Sequence, residues 1–163
     1  MNEEVGLIRV DSRLLHGQVV TRWIKQVEAQ QVIILDDNLA QDDFMIEVFK
    51  MAAPEGVELI VKPIDAESIQ FLGTSSLKNS IILFNSIPSL IKAFQLGLPF
   101  TDVQIGGIGG GNNRTVVYKN ITLTAEEYEE LKHWQDQGKH IYLQTVPEDK
   151  EASLESIAKK FKS

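Results

Sequence analysis

The sequence has no cysteine among its 163 residues. This absence excludes a disulfide framework and a thiolate metal site. Basic residues are few, because 16 lysines and arginines stand against 23 acidic residues and give a formal net charge of −7. That charge argues against general nucleic-acid binding and against an anionic membrane surface, since both require a basic face.

Long apolar runs are also absent, and none approaches the length of a membrane span. The acidic residues 1–4 lack the apolar segment of a signal peptide. We therefore expect a cytoplasmic protein. The length of 163 residues and the hydrophobic content of 43% fit one domain, residues 1–163, with a sizeable core.

Short apolar runs alternate with helical patterns along the whole chain. The runs are rich in Val and Ile and mostly continuous, which is typical of parallel strands covered on both faces. They are Val5–Val10, Val32–Leu35, Val57–Val61, Ile81–Phe84, Val103–Ile105 and His140–Thr145. This order predicts an α/β fold: a three-layer α/β/α sandwich with a mostly parallel central sheet of about six to seven strands.

Helix signals lie between these runs. Apolar residues recur at helical spacing over 19–27 and 44–52, and Pro54 ends the second of these helices. Thr124 and Glu127 form the pattern of a capping box. A weaker helix is predicted over Ser153–Phe161.

The first apolar run leads into the segment RVDSRLLHGQV at residues 9–19. His16 lies there between the end of a strand and a helix that opens at Gly17. In open α/β sheets ligands bind at this position, and a helix N-terminus attracts anions. Arginine matches a phosphate with its planar fork, and a neutral histidine can act as a nucleophile. Together with Arg9 and Arg13, these features predict a histidine that receives and passes on a phosphoryl group.

Each neighbour has a predicted role around His16. Arg13 would contact the phosphoryl oxygens, and Arg9 would either do the same or brace the loop through Asp11. The backbone N–H groups of Gly17 and Gln18 would add further donors. The alternative is a solvated histidine, with both arginines pairing with Asp11 at the surface.

The segment at residues 9–19 closely resembles the signature R-[IV]-D-x-R-[LI]-[LI]-H-G-Q-V of a known family. That family is the IIB component of the mannose/fructose/sorbose class of sugar phosphotransferase systems. The similarity covers nearly the whole chain. Its supporting positions are Trp23, Asp36-Asp37, Ala52–Gly56, Phe84-Asn85 and Gly106-Gly107.

The resemblance implies that His16 accepts a phosphoryl group from a phosphorylated IIA protein or domain. His16 would then pass it to a sugar held by the membrane IIC and IID components, with which this chain would associate peripherally. No cofactor is implied. The sugar would be a hexose or an N-acetylated amino sugar, and overall resemblance weakly favours N-acetylgalactosamine.

A glycine-rich run at Gly106–Asn113 is the clearest shift in composition. It lacks the last glycine of a dinucleotide fingerprint. It is interpreted as a mobile loop, or as a rim of the site formed by Gly106 and Gly107, which the resemblance favours. Asp36 and Asn85 are further candidates for this rim.

Other polar and aromatic residues are interpreted structurally. Asp36 and Asp37 could hold a metal or act as a base, but a turn-forming cluster is favoured and no metal is expected. Trp23 is predicted to pack in the core. His133 and His140 are predicted to lie away from the site. His140 begins the last strand, at the end opposite the site.

Two other functions compete with the phosphohistidine carrier. A histidine phosphatase uses Arg-His-Gly, whereas here Leu15 precedes His16. A flavodoxin-like binding module would share the fold but would not explain the two arginines and the histidine together.

A partner protein would dock where strands end, on the loops that follow Val10, Leu35, Phe84 and Ile105. Charge steering by Arg9, Arg13 and Arg114 would assist its association.

Overall fold

The computed structural model describes residues 5–15 and 17–161, and only the backbone of residues 18 and 19. His16 lies outside the described residues. The strands are β1 (Leu7–Asp11), β2 (Gln31–Leu35), β3 (Glu58–Lys62), β4 (Ser80–Phe84), β5 (Asp102–Gly107), β6 (Thr115–Tyr118), β7 (Ile121–Leu123), β8 (His140–Leu143) and β9 (Ala152–Ser153). The α-helices are α1 (Gln18–Gln26), α2 (Asp43–Ala52), α3 (Ala66–Thr74), α4 (Ile87–Gln95), α5 (Ala125–Asp136) and α6 (Leu154–Ile157). Short 3₁₀ turns cover Leu39–Gln41 and Ala158–Phe161.

The central sheet has seven strands in the order β3-β2-β4-β1-β5-β8-β9. All neighbours pair in parallel except β9, which runs antiparallel to β8. The predicted sheet of six to seven mostly parallel strands is therefore confirmed. The antiparallel pair β6 and β7 was not predicted.

Two apolar clusters lie on opposite faces of the sheet. One joins Leu7, Val32 and Ile81 to α1 and α2, and the other joins Ile8, Ile33 and Ile82 to α3, α4, α5 and α6. Neighbouring residues of one strand alternate between the clusters because side chains alternate across a pleated strand. Both faces are thus covered, which gives the predicted three-layer α/β/α sandwich and explains the continuous apolar runs.

Helix and strand ends follow local chemistry. The capping box at Thr124 is confirmed, since its side chain and that of Glu127 each accept from the other's backbone N–H. The first strand begins two residues later than predicted and reaches Asp11, while Val5 forms only an isolated bridge. The predicted strand at 140–145 ends at Leu143, although the backbone N–H of Gln144 still donates to the Ile105 carbonyl at 3.0 Å. The predicted C-terminal helix is divided into α6 and a 3₁₀ turn.

Parallel pairing brings the carboxyl ends of six strands to one edge of the sheet. We call this the site edge and define it by the segments that follow β1, β2, β4, β5 and β8. The predicted docking face contained the first four of these segments, and parallel pairing of β8 with β5 adds the fifth. Among residues 5–15 and 17–161, no helix is both long and apolar enough to cross a membrane.

Candidate functional site

Arg9 is fully buried in the middle of β1. Its Nη1 donates to the side chain of Gln104 and, at 3.1 Å, to the carbonyl oxygen of Gln144. Its Nη2 donates to Asp11 Oδ2 at 3.1 Å and to the Thr145 carbonyl at 3.0 Å. The alternative prediction that Arg9 pairs with Asp11 at the surface is therefore wrong, because the Arg9 side chain is 0% exposed. Two roles were predicted for Arg9, contact with the phosphoryl oxygens and bracing of the loop through Asp11. The geometry matches the second role.

Asp11 is also fully buried and bridges Arg9 to the loop. While Oδ2 accepts from Arg9, Oδ1 accepts the backbone N–H of Arg13 at 2.9 Å. The Arg13 Nε lies 3.7 Å from the same oxygen, and half of the Arg13 side chain is exposed. One carboxylate therefore ties a buried arginine to an accessible one.

Two buried leucines anchor the loop between β1 and α1 in the apolar core. Leu14 and Leu15 are buried in the cluster beneath α1, and Leu14 has a φ of 52°. A non-glycine residue rarely adopts this conformation, so the packing of its side chain must stabilise it. Gly17, with a φ of 82°, forms the N-cap of α1. A Cβ placed there would lie 3.5 Å from Arg13 Nη1, so the guanidinium rests against the start of this helix.

Trp23 packs in the core as predicted and also supports the site. Its indole Nε1 donates to the Thr145 carbonyl at 2.9 Å. The Arg9 Cζ lies 5.6 Å from the centre of its ring, within range of a cation–π contact. The face of the Trp23 ring therefore attracts the buried charge of the Arg9 guanidinium.

Gly106 and Gly107 are buried in β5, so their interpretation as part of a mobile loop is wrong. The β1–β5 register shifts after Val10, and Gly106 is the extra residue. A Cβ on Gly106 would come within 3.0 Å of the Arg9 guanidinium, and one on Gly107 would lie 3.3 Å from Asp11 Oδ2. At Gly106 the Arg9 guanidinium fills the space that a side chain would need, whereas at Gly107 a Cβ would make a tight contact with Asp11. Residues 109–113 are exposed.

The other predicted rim residues lie at the site edge in structural roles. Asp36 is buried and accepts the backbone N–H of Leu39 at 2.8 Å. Asp37 accepts from the backbone of Ile64 at 2.7 Å and pairs with Lys92 at 2.6 Å. These contacts confirm the turn-forming interpretation. The hydrogen bonds from Lys92 and from the Ile64 backbone hold the pKa of Asp37 below its ordinary value.

Asn85 follows β4, and its Oδ1 accepts from the Ser89 hydroxyl at 3.4 Å. Its contact is thus with the first turn of α4. Within the described part of the chain, no group of three or more acidic or histidine side chains is arranged to hold a metal ion.

The charges of the site are unequally accessible. Burial lowers the pKa of the Arg9 guanidinium below its ordinary value, while the charge and hydrogen bond of Asp11 oppose that shift. Arg114 pairs with Glu127 at 2.6 Å and donates to Thr122, with 19% of its side chain exposed. Both guanidiniums pair with carboxylates within the fold, which offsets their charges, and the steering by Arg9 and Arg114 stays a prediction. Arg13 keeps an accessible charge.

The two described histidines lie elsewhere, as predicted. His133 is exposed on α5 and contacts the edge of Trp134, with ring centres 5.5 Å apart. His140 begins β8 at the edge opposite the site, and its Nδ1 lies 3.4 Å from Asp102 Oδ1.

Sequence reasoning missed Gln104, Gln144 and Thr145, which surround the Arg9 guanidinium. All three are buried. A polar residue inside the apolar run Val103–Ile105 was the available signal, because a buried amide requires partners. No pattern indicated that the partner would come from β1.

Residues 5–163 match the family model described as the PTS system sorbose subfamily IIB component. The chain belongs to this family. This match confirms the family that residues 9–19 resemble. The chain is therefore a IIB component of the sorbose-type phosphotransferase systems.

Relatives of this IIB chain agree with that placement. The fructose-specific EIIB component of Bacillus subtilis (strain 168) is 26% identical over 150 residues, which cover 89% of this chain and 90% of the relative. The mannose-specific EIIAB component of Escherichia coli (strain K12) is 25% identical over 158 residues, and the chain spans only 49% of its length. The crystal structure of manxB from Thermoanaerobacter tengcongensis superimposes with a TM-score of 0.87 and 31% identity, covering 98% of both chains.

Proposed function

We propose that this IIB chain carries a phosphoryl group on His16. It would accept the group from a phosphorylated IIA protein or domain and deliver it to a sugar bound by membrane IIC and IID components. The observation that carries the proposal is the placement of Arg13. Its guanidinium is half exposed, is tethered through Asp11, and rests against Gly17, the residue that follows His16 in the sequence.

The chemistry needs positioning and charge. In the first step a ring nitrogen of His16 forms a bond to phosphorus while the N–P bond of the donor histidine breaks. Such transfers pass through a loose transition state with charge on three equatorial oxygens. Arg13 would contact those oxygens, and the backbone N–H groups of Gly17 and Gln18 would donate to them.

Arg9 and Asp11 support this chemistry from below. Asp11 holds the Arg13 backbone, and Arg9 neutralises the buried charge of Asp11. Asp11 itself would not contact the phosphoryl group, because two anions repel each other. In the second step a sugar hydroxyl attacks phosphorus, forms a P–O bond and loses its proton, and the histidine leaves.

The partners follow from the same proposal. The EIIAB relative combines two PTS components in its name, which supports a IIA partner for this chain. Relatives named for fructose and mannose match at 26% and 25% identity, so similarity ranks neither sugar first. We propose that the membrane components select the sugar and that this chain associates with them peripherally.

Incubation with phosphoenolpyruvate and the upstream carriers tests the function. The chain should gain one phosphate that is labile in acid and stable in base, as a phosphohistidine is. Hydrolysis of the incoming phosphate without transfer would indicate a phosphatase instead. A chain that never acquires phosphate would indicate a non-catalytic binding module.

A further inference from the structure

Gln104 is a fully buried amide in β5 whose two ends are both engaged. In the sheet register it lies beside Arg9 on one side and Tyr142 on the other. Its Oε1 accepts from Arg9 Nη1, and its Nε2 donates to Gln144 Oε1 at 3.3 Å. The phosphoryl-transfer steps proposed above make no direct use of this residue.

Gln104 is one of the two acceptors that hold Arg9 Nη1 away from Asp11, the other being the Gln144 carbonyl. Each terminal nitrogen of Arg9 has two acceptors, and only Nη2 contacts the carboxylate. An arginine and a carboxylate can also form a pair through two parallel bonds, which is a strong arrangement. A pairing of Arg9 Nη1 and Nη2 with both oxygens of Asp11 would bring Nη1 into competition with the Arg13 backbone N–H for Oδ1.

We therefore propose that Gln104 is a positioning residue for the transfer loop. Together with the Gln144 carbonyl it occupies Arg9 Nη1, keeps the ion pair at one oxygen, and so leaves Asp11 Oδ1 to hold Arg13. This inference rests on the proposed role of Arg13 in phosphoryl transfer.

An amide suits this position because it accepts at one end and donates at the other. Its donation to Gln144 extends the connection, since Gln144 Nε2 donates to the Asp149 carbonyl at 3.0 Å. The loop after β8 is also attached to α1, where Arg22 pairs with Glu148. Gln104 thus links the fifth segment of the site edge to the loop that bears Arg13.

Two variants test the proposal. Gln104→Leu removes the amide, and Gln104→Asn keeps an amide but withdraws it by one methylene group, so it offers a second chance of a folded protein. Gln31→Leu is the matched control, because Gln31 Nε2 donates to Ser80 Oγ at 2.7 Å at the opposite edge of the sheet.

The first measurement is the NMR signal of the Arg13 backbone amide. Both Gln104 variants should move this proton upfield, because it loses a carboxylate acceptor, and Gln31→Leu should leave it in place. The second measurement is the rate of phosphate transfer from IIA. The Gln104 variants should be slower by about 10- to 100-fold, since small misplacements of a catalytic group have effects of this size.

A double-variant comparison separates positioning from general damage. In the Gln104→Leu background, Arg13→Lys should slow transfer much less than it does in the parent chain, because the arginine is already misplaced. Independent, multiplying penalties would overturn the proposal, and so would an Arg13 amide that does not move. If the parent chain acquires no phosphate at all, the proposed function fails, and the amide signal still decides whether Gln104 positions Arg13.

Discussion

Replacement of Gly106 by alanine should destabilise the fold strongly, although it adds one methyl group. The new Cβ would come within 3.0 Å of three atoms of the Arg9 guanidinium. That guanidinium is held by four acceptors in a fully buried position, so it has no free direction in which to move. Either the β1–β5 pairing must open or the ion pair must break.

The magnitude follows from that choice. Overpacking a core typically costs about 1–3 kcal/mol, and breaking a buried ion pair costs about 3–5 kcal/mol. We expect a loss of about 3 kcal/mol in the free energy of unfolding, a large part of the roughly 5–15 kcal/mol typical of a domain. Gly110→Ala is the matched control, because its Cβ would meet nothing within 4 Å. It should change stability by less than about 0.5 kcal/mol.

Urea unfolding followed by the fluorescence of Trp23 and Trp134 measures both variants. The Gly106→Ala midpoint should fall by on the order of 1 M or more, given slopes of about 1–3 kcal/mol/M. The same substitution in an Arg9→Ala/Asp11→Asn background should cost much less, because the obstructing group is gone. Equal losses for Gly106→Ala and Gly110→Ala, or an equal loss in both backgrounds, would refute the packing argument.

Three further predictions concern transfer, titration and docking. Arg13→Lys should slow phosphate transfer by about tenfold or more without changing the urea midpoint, because an exposed point charge cannot replace the bidentate fork; unchanged transfer kinetics would leave the arginine a structural role only. Burial raises the pKa of Tyr142 to about 12, so stability should fall as the pH rises from 10 to 12, and phenolate absorbance should show a transition near pH 12 that Tyr142→Phe removes; persistence of that transition in the variant would contradict the assignment. Titration with IIA should shift NMR signals of residues 11–18 and 106–114, and salt should weaken the effect; shifts confined to residues 138–140 would place the docking face at the wrong edge.

The order of strands and helices was predictable because burial on both faces leaves a simple signal. A continuous run such as Val32–Leu35 has few alternatives to a central parallel strand. The pair β6 and β7 was missed because both strands are short and follow a glycine-rich run. Strand β9 has only two residues, too few for any periodic pattern.

The site was predictable only where its residues are adjacent in sequence. Arg9, Asp11 and Arg13 share one segment, so their association was evident, yet their burial was not. The difference arises from contacts across 95 and 135 residues, to Gln104 and Gln144. The periodicity of apolar residues carries no information on such distant pairings. For the same reason, the sequence did not show that Gly106 makes room for the Arg9 guanidinium.

The most direct test of the central claim is the location of the labile phosphate. After phosphorylation through the upstream carriers, peptide mapping under basic conditions should find the phosphate on His16. His16→Ala should acquire none, while His133→Ala and His140→Ala should be phosphorylated like the parent chain, because both histidines lie away from Arg13 and Gly17 at the site edge. Phosphate on His133 or His140, or undiminished labelling of His16→Ala, would contradict the account.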